Sequence, residues 1–530
     1  MTAVDPGASV RMHPVAAWAT LIVASLGVLL GGAELMVVAI ALPSIVADFG
    51  GWADLARVSW IVNAYLLAYV VAMPLAGRGA DLWGARRLYV VALLLFVVGS
   101  AGAGLSRFAG EDGLTWLIVA RVVQGFGGGA LVPLSMALAS HLFTGRQRAA
   151  ALGLEGAATY IGMAIGPAYG AWVLLSFNLP IPGVDMANWQ WIFLLNVPIG
   201  ILALLLIYVV AGGVETPRAR AGLDLAGAAL LSLALVAGIG AITVSGASGW
   251  NDPLVLGGGA FGVLALAAFV WRELHTSSPL VDLRLFADRA FSAANAVSLL
   301  TGYTLATAII GGPVFVDRVL FGSGAQASTL LTALTLAIAG GALVGGLVSG
   351  LIGERIVTVV GVAASAAGLW LALGWGVDIE LDRLVRDLAL FGVGFGLTVS
   401  PRATAAVEAA GAGAYGVASA MLQITRTIGM SVGLALLTSI GQNRIDELSA
   451  LIADQALLDE LVVELGRPEF IGVDPQSSLA LTAVLETWSQ GQSADVLRLV
   501  MGIALAVALL TLVPAWFVRG RPGTGERRVV

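Results

Sequence analysis

Two carboxylates, Glu34 and Glu155, and two guanidiniums, Arg121 and Arg426, stand inside long apolar runs of this sequence. An ionisable side chain at the centre of a bilayer costs about 2.5 to 3.5 kcal/mol on insertion scales, so each of the four must be partnered or must do work. Glu34 lies about 12 Å below one end of its run and Arg121 about 10 Å below the same end of another, taking 1.5 Å per helical residue. At equal depth the two can pair and offset much of each other's desolvation, and a pair that opens when a proton arrives couples proton movement to conformation. The plainer reading is a static salt bridge that orients two helices. Gln124, one turn from Arg121, is placed to hold the arginine, and we assign Gln124 and Arg426 to a central cavity. Glu155 is expected to meet Arg146 or Arg148 in a structural role. Asp317 with Arg318, and Glu408 with Arg402, fall at run ends and read as interfacial anchors.

Other chemistries are excluded by what is missing. The chain has no cysteine, only three histidines (His13, His141 and His275), and its 27 basic residues are all arginine. Without lysine there is no phosphate loop, and no metal or nucleophile cluster can be assembled, so neither an enzyme nor an ATP-driven pump is expected, and no cofactor or metal. A net charge of -6 offers no basic face for nucleic acid.

The elements that position these groups follow from composition. Hydrophobic residues make up 58% and charged residues 11% of 530, against about 25% charged in soluble proteins. Apolar runs reach the roughly 20 residues needed to span a bilayer, and they do so fourteen times, from 16–42 to 496–518, with the sixth at 190–211. With the N-terminus inside, 17 arginines fall on the cytoplasmic side and 8 outside, which favours an even helix number and both termini cytoplasmic. The expected fold is all-α and polytopic, six plus two plus six helices: a bundle over 1–211, two linker helices over 212–287, and a second bundle over 288–530.

Spacing repeats between the halves. Gly77, Asp81, Gly84 and Arg86 after the second run are echoed by Gly346, Gly350, Gly353 and Arg355 after the tenth, and Gly162, Gly166 and Gly170 in the fifth by Gly429 and Gly433 in the thirteenth. Small residues at four-residue steps let membrane helices approach closely; Pro167 beside Gly166 adds a bend that suits a rocking joint. Residues 442–495 form a polar insertion in which Ile445 to Leu465 follow a helical apolar stripe, leading to a second weakly helical run ending near Trp488; together they predict a hairpin outside the membrane.

The segment Gly77 to Arg87, with Asp81, Gly84, Arg86 and Arg87, resembles the cytoplasmic gating signature of the major facilitator superfamily. Arg121 to Gly125 is similar to that family's proton-transfer signature, Gly162 to Gly170 to its antiporter motif, and Trp189 to Gly200, with Asn196, to its fourteen-helix drug:proton antiporter branch. The outer insertion gives a weaker resemblance to mycobacterial triacylglyceride and lipid exporters of that branch. The resemblance implies a proton-coupled antiporter of the cell membrane that exports drugs or other hydrophobic or amphipathic compounds, with a dedicated lipid exporter as the alternative. A membrane enzyme or lipid-sensing receptor is the competing reading of another class, and it lacks a catalytic cluster. Implied partners are protons, hydrophobic or lipid-like small molecules, membrane lipids and an extracytoplasmic accessory protein, with the chain working as a monomer.

Overall fold

A computed structural model describes residues 13–49, 55–177, 179, 186–211 and 222–520. Within a bilayer every backbone amide must find its partner inside its own segment, which leaves helices as the economical solution for this composition. The helices are α1 (Pro14–Asp48), α2 (Leu55–Trp83), α3 (Ala85–Leu105), α4 (Gly113–Leu142), α5 (Gly145–Ser176), α6 (Asn188–Leu194), α7 (Asn196–Val210), α8 (Leu225–Ser248), α9 (Pro253–His275), α10 (Arg289–Arg318), α11 (Gly324–Ile352), α12 (Glu354–Ala372), α13 (Leu381–Ala410), α14 (Tyr415–Ala453), α15 (Gln455–Glu464) and α16 (Leu479–Ala515). Among the described residues, thirteen helical stretches are long and apolar enough to cross a membrane, and one of them, Ala85–Leu142, is 58 residues long. It contains α3 and α4, separated at Gly110, where φ is 62° and ψ is -129°. Counted as two, they bring the number to fourteen.

The packing is a repeat. In the first half α1 lies on α5, and α2 and α3 lie on α4; in the second half α10 lies on α14, and α11 and α12 lie on α13. The two halves meet through α5 on α11 and α2 on α14, which are equivalent contacts under the same pairing. Gly84 and Gly353 each precede a helix with φ of 97° and 93°, a region that favours glycine, so the repeated spacing encodes the same sharp entry into α3 and α12.

Three sequence expectations change. The sixth run is broken at Leu195 into α6 and α7. The glycines of α5 pack into α1: a Cβ on Gly166 would stand 2.7 Å from the Ala33 carbonyl and one on Gly170 2.8 Å from Val37. That seam lies within the first half and not between the halves, where the sequence spacing suggested a joint; the opposite face of α5, through Gly153 and Gly156, meets α11 and α13. Finally, the expected single amphipathic helix is interrupted, because Asp454 caps a new helix by accepting the Ala456 amide at 2.9 Å, and the weakly helical run is the first part of α16, continuous to Ala515. Leu458, Leu461 and Val462 of α15 close a small apolar core with Leu481 and Leu485 of α16.

Candidate functional site

The deepest charges come together in the first half. Glu34 on α1 and Arg121 on α4, each 1% exposed, form a direct ion pair. The other Glu34 oxygen accepts from the Asn196 side chain at 2.9 Å. Arg121 also donates to Gln124 Oε1 at 2.6 Å and to the Ile61 carbonyl at 3.1 Å, while Gln124 donates onward to Ser100 at 2.8 Å. The guanidinium lies over the Tyr65 ring, 4.1 Å from its centroid. Both carboxylate oxygens, and Nε and one terminal nitrogen of the guanidinium, thus have partners, which favours persistence of a buried ion pair. Gln124 is held inside this network and is not among the residues that line the pocket at the seam with Arg426, where the sequence had assigned it. Asn196 is the residue sequence reasoning left without a chemical role; as the first residue of α7, just past the break at Leu195, it reaches Glu34, and the signal was an amide with apolar residues on both sides, from Trp191 to Leu195 and from Val197 to Ile199.

A second polar group lies where the halves meet. Glu155 of α5, Arg402 of α13 and Gln423 and Arg426 of α14 line one small pocket. Glu155 is 1% exposed; one oxygen accepts from Ser25 at 3.0 Å, and the other is buried without a hydrogen-bond partner among the described residues. Arg426 donates to the Tyr160 hydroxyl at 3.1 Å and keeps a buried, unpartnered Nε. Arg402 donates to Thr301 at 2.6 Å. Two expectations are corrected here. Glu155 does not bond to Arg146, which is exposed, nor to Arg148, which turns to the carbonyls of Phe143 and Ser140. Arg402 is no interfacial anchor: it is 4% exposed, because Glu408 pairs instead with Arg148 at 3.7 Å. Asp317 and Arg318 do form an exposed pair, at 3.2 Å.

The third group closes one end of the seam. Asp81 of α2 is 2% exposed and accepts the amides of Gly416 and Val417, at 2.9 and 3.1 Å, in the first turn of α14. A carboxylate there satisfies amides that have no partner within the helix and meets the positive end of its dipole. Gly77 and Gly416 make the approach possible, since a Cβ on Gly77 would stand 2.6 Å from the Gly416 carbonyl. Next to it Arg148 of α5 donates to the Tyr415 hydroxyl at 3.0 Å, and the His141 ring packs at a tilt of 55° against the same ring, 4.9 Å between centroids. Arg86 is half-buried and Arg87 exposed at this end. Contacts of α5 with the second half run from Arg146 to Met163; farther along α5, Trp172 and Leu175 are 50% and 84% exposed. The seam is closed at the arginine-rich end, where Asp81 meets α14 and Arg148 meets Tyr415.

The Major Facilitator Superfamily model matches residues 24–434. A triacylglyceride transporter of Mycolicibacterium smegmatis is 34% identical over 452 residues, 82% of this chain and 78% of that protein. One from Mycobacteroides abscessus is 33% identical over 461 residues, 84% and 85% of the two chains, and one from Mycobacterium tuberculosis is 31% identical over 464 residues, 83% and 87%. Among solved structures, the proton:xylose symporter XylE bound to 6-bromo-6-deoxy-D-glucose aligns with a TM-score of 0.58 at 14% identity, covering 93% of this chain and 96% of that one. The human organic anion transporter MFSD10 aligns at 0.57 and 16%, covering 92% and 100%. At such identities these two speak to the fold alone.

Proposed function

The chain belongs to the major facilitator superfamily, and from that premise we propose that it is a proton-coupled exporter of lipid-like molecules, working by alternating access between its two bundles. The arginine-rich end is the cytoplasmic one by the positive-inside rule, so in this proposal the conformation described is closed to the cytoplasm. The observation that carries the reading is Glu155 of one bundle sharing a buried pocket at the seam with Arg402 and Arg426 of the other. While Glu155 is ionised, its attraction to the two arginines adds to the Asp81 clamp and keeps the cytoplasmic end closed. A proton entering from outside neutralises Glu155, weakens that attraction and lets the bundles part on the cytoplasmic side; loss of the proton inward restores it. Each cycle moves a proton in and allows cargo out. Glu34, sealed by Arg121 and Asn196, is the second candidate for the coupling proton, and its protonation would release Arg121.

The substrate side rests on kinship. Relatives over most of the chain are named triacylglyceride transporters, which favours the lipid alternative over the drug-efflux reading. The direct experiment is reconstitution with a fluorescent triacylglyceride: an imposed proton gradient should accelerate its efflux from inside-facing sites. Transport indifferent to the gradient, or confined to small cationic dyes, would overturn the proposal.

A further inference from the structure

The linker helices α8 and α9 pack on each other, and α8 also packs on α14. The pair meets closely where glycine allows it: a Cβ on Gly262 of α9 would stand 2.9 Å from the Gly238 amide nitrogen of α8. Between the pair and α14 runs a groove of about 670 Å³, within the roughly 300 to 1,000 Å³ of small-molecule sites. Its wall extends along α9 from Val255 to Val270, a rise of about 22 Å at 1.5 Å per residue. One leaflet supplies only half of a hydrocarbon core of ~30 Å, so the groove passes the midplane. No charged residue lines it. Apart from the Trp250 indole at one end, Thr425 carries the only polar side chain among the described lining residues, and its hydroxyl donates to the Met421 carbonyl of its own helix at 2.9 Å. The groove opens sideways, since Leu256, Val263 and Leu266 of the α9 wall are 58%, 68% and 47% exposed. A cavity without polar partners stays dry, so hydrocarbon is what fits this one. Its room comes from glycine: Gly238 and Gly259 line it, and a Cβ on either would meet no atom within 4 Å. The floor is α14, through Met421, Ile424 and Ile428, while Gln423 and Arg426 of the same helix face the pocket at the seam. A phospholipid chain, anchored by its head at one surface, fills one leaflet; a chain that crosses the midplane belongs to a lipid without a charged head.

We propose that this groove is a binding site for an acyl chain of a neutral lipid, held beside α14 by the linker helices. Its place in the transport cycle, as the point where cargo leaves the bilayer for the seam, rests on the reading of the cargo as lipid-like, and the test keeps the two apart. The full chain in phosphatidylcholine nanodiscs is irradiated with a triacylglyceride carrying a mid-chain diazirine, and labelled peptides are read by mass spectrometry. Label should reach Ile424 on the floor, which is 2% exposed. Unlabelled triacylglyceride should compete for it, and added phosphatidylglycerol should not. Gly238→Leu and Gly259→Leu should each cut labelling of the floor about tenfold, the equivalent of roughly two methylenes of chain lost from the site. Gly240→Leu and Gly257→Leu make the same change on the same helices, also into space open to 4 Å but away from the groove lining, and should leave labelling unchanged. All four should keep the parent melting temperature; if a groove variant fails to insert, Gly238→Ala and Gly259→Ala replace it, with a smaller cut expected. Equal competition by phosphatidylglycerol, or equal loss of label in groove and control variants, would mean annular lipid only and would overturn the site. An unlabelled floor in a chain that still exports fluorescent triacylglyceride under a gradient would overturn this proposal alone. A labelled floor in a chain that exports none would support the site and overturn the export reading.

Discussion

The two halves repeat one backbone frame with opposite chemistry. Gly162 packs on Leu29 and Ala33 as Gly429 packs on Leu299 and Tyr303, and Gly99 packs on Gln124 as Gly368 packs on Phe391. By these contacts Glu34 corresponds to Thr304, and Gln124 to Phe391; the parallel contacts of Gly125 and Gly392 place Leu388 opposite Arg121. Where the first half buries an ion pair, the second buries Thr304 and Leu388, 2% and 1% exposed. The second half thus builds the same helix arrangement without an ion pair at these positions. At the seam the signs are divided: the carboxylate, Glu155, comes from the first half, and both arginines, Arg402 and Arg426, come from the second.

The largest effect should come from unbalancing the first half. Arg121→Ala leaves Glu34 without its counter-charge and should destabilise by about 3 to 5 kcal/mol, read as a lowered melting temperature in detergent. Giving the first half the residues of the second, Glu34→Thr with Arg121→Leu, should recover most of that loss, because no uncompensated charge is then buried, yet leave gradient-driven transport abolished. A double variant as unstable as Arg121→Ala would mean that the pair is required by the fold.

A smaller effect is expected at the gate, where the halves differ by Asp81 against Gly350. Asp81→Asn keeps an acceptor for one amide but loses the charge facing the α14 terminus, worth about 0.3 to 1 kcal/mol in exposed settings and up to ~2 kcal/mol in partly buried ones. Labelling of Leu152→Cys, in the pocket at the seam, by a membrane-impermeant maleimide from the cytoplasmic side should rise severalfold; if it stays unchanged, the clamp lies elsewhere. Replacing residues 454–478 by a short Gly/Ser linker breaks the small core of α15 and α16, which only the second half carries. Insertion and melting temperature should hold, and export of lipid-like substrates should fall more than export of cationic dyes. Equal loss for both, or none, would count against a role in release.

The smallest effect belongs to Thr304→Val, the counterpart of Glu34. Its hydroxyl donates only to the Thr301 carbonyl of its own helix, at 3.0 Å, so stability should change by less than about 1 kcal/mol and transport should persist. Loss of coupling in this variant would show that the second half holds a proton site of its own.

What the sequence made readable follows the same division. Fourteen apolar runs and the glycine frame could be read because hydrocarbon imposes length and close approach imposes small residues, and both are local. Glu34 and Arg121 could be matched because helix rise converts residue number to depth. Partners across the bundles could not: Arg148 turned from Glu155 to Tyr415 and Glu408, and Arg402 turned inward to Thr301, because rotation about each helix axis is set by tertiary packing. The break at Leu195 that brings Asn196 to Glu34 does have a local cause, Pro198, which has no N–H for the Leu194 carbonyl and crowds it, but that Asn196 then meets Glu34 is again a matter of tertiary packing.

The central claim is that the proton is carried by a carboxylate of the first half. Substrate-driven proton flux in proteoliposomes, measured with a fluorescent triacylglyceride for Glu155→Gln and Glu34→Gln beside the unaltered protein, tests it most directly. The account predicts that at least one of the two variants, folded and inserted, moves no protons in response to substrate and shows no acceleration by an imposed gradient; undiminished flux in both, and in the double variant, would contradict it.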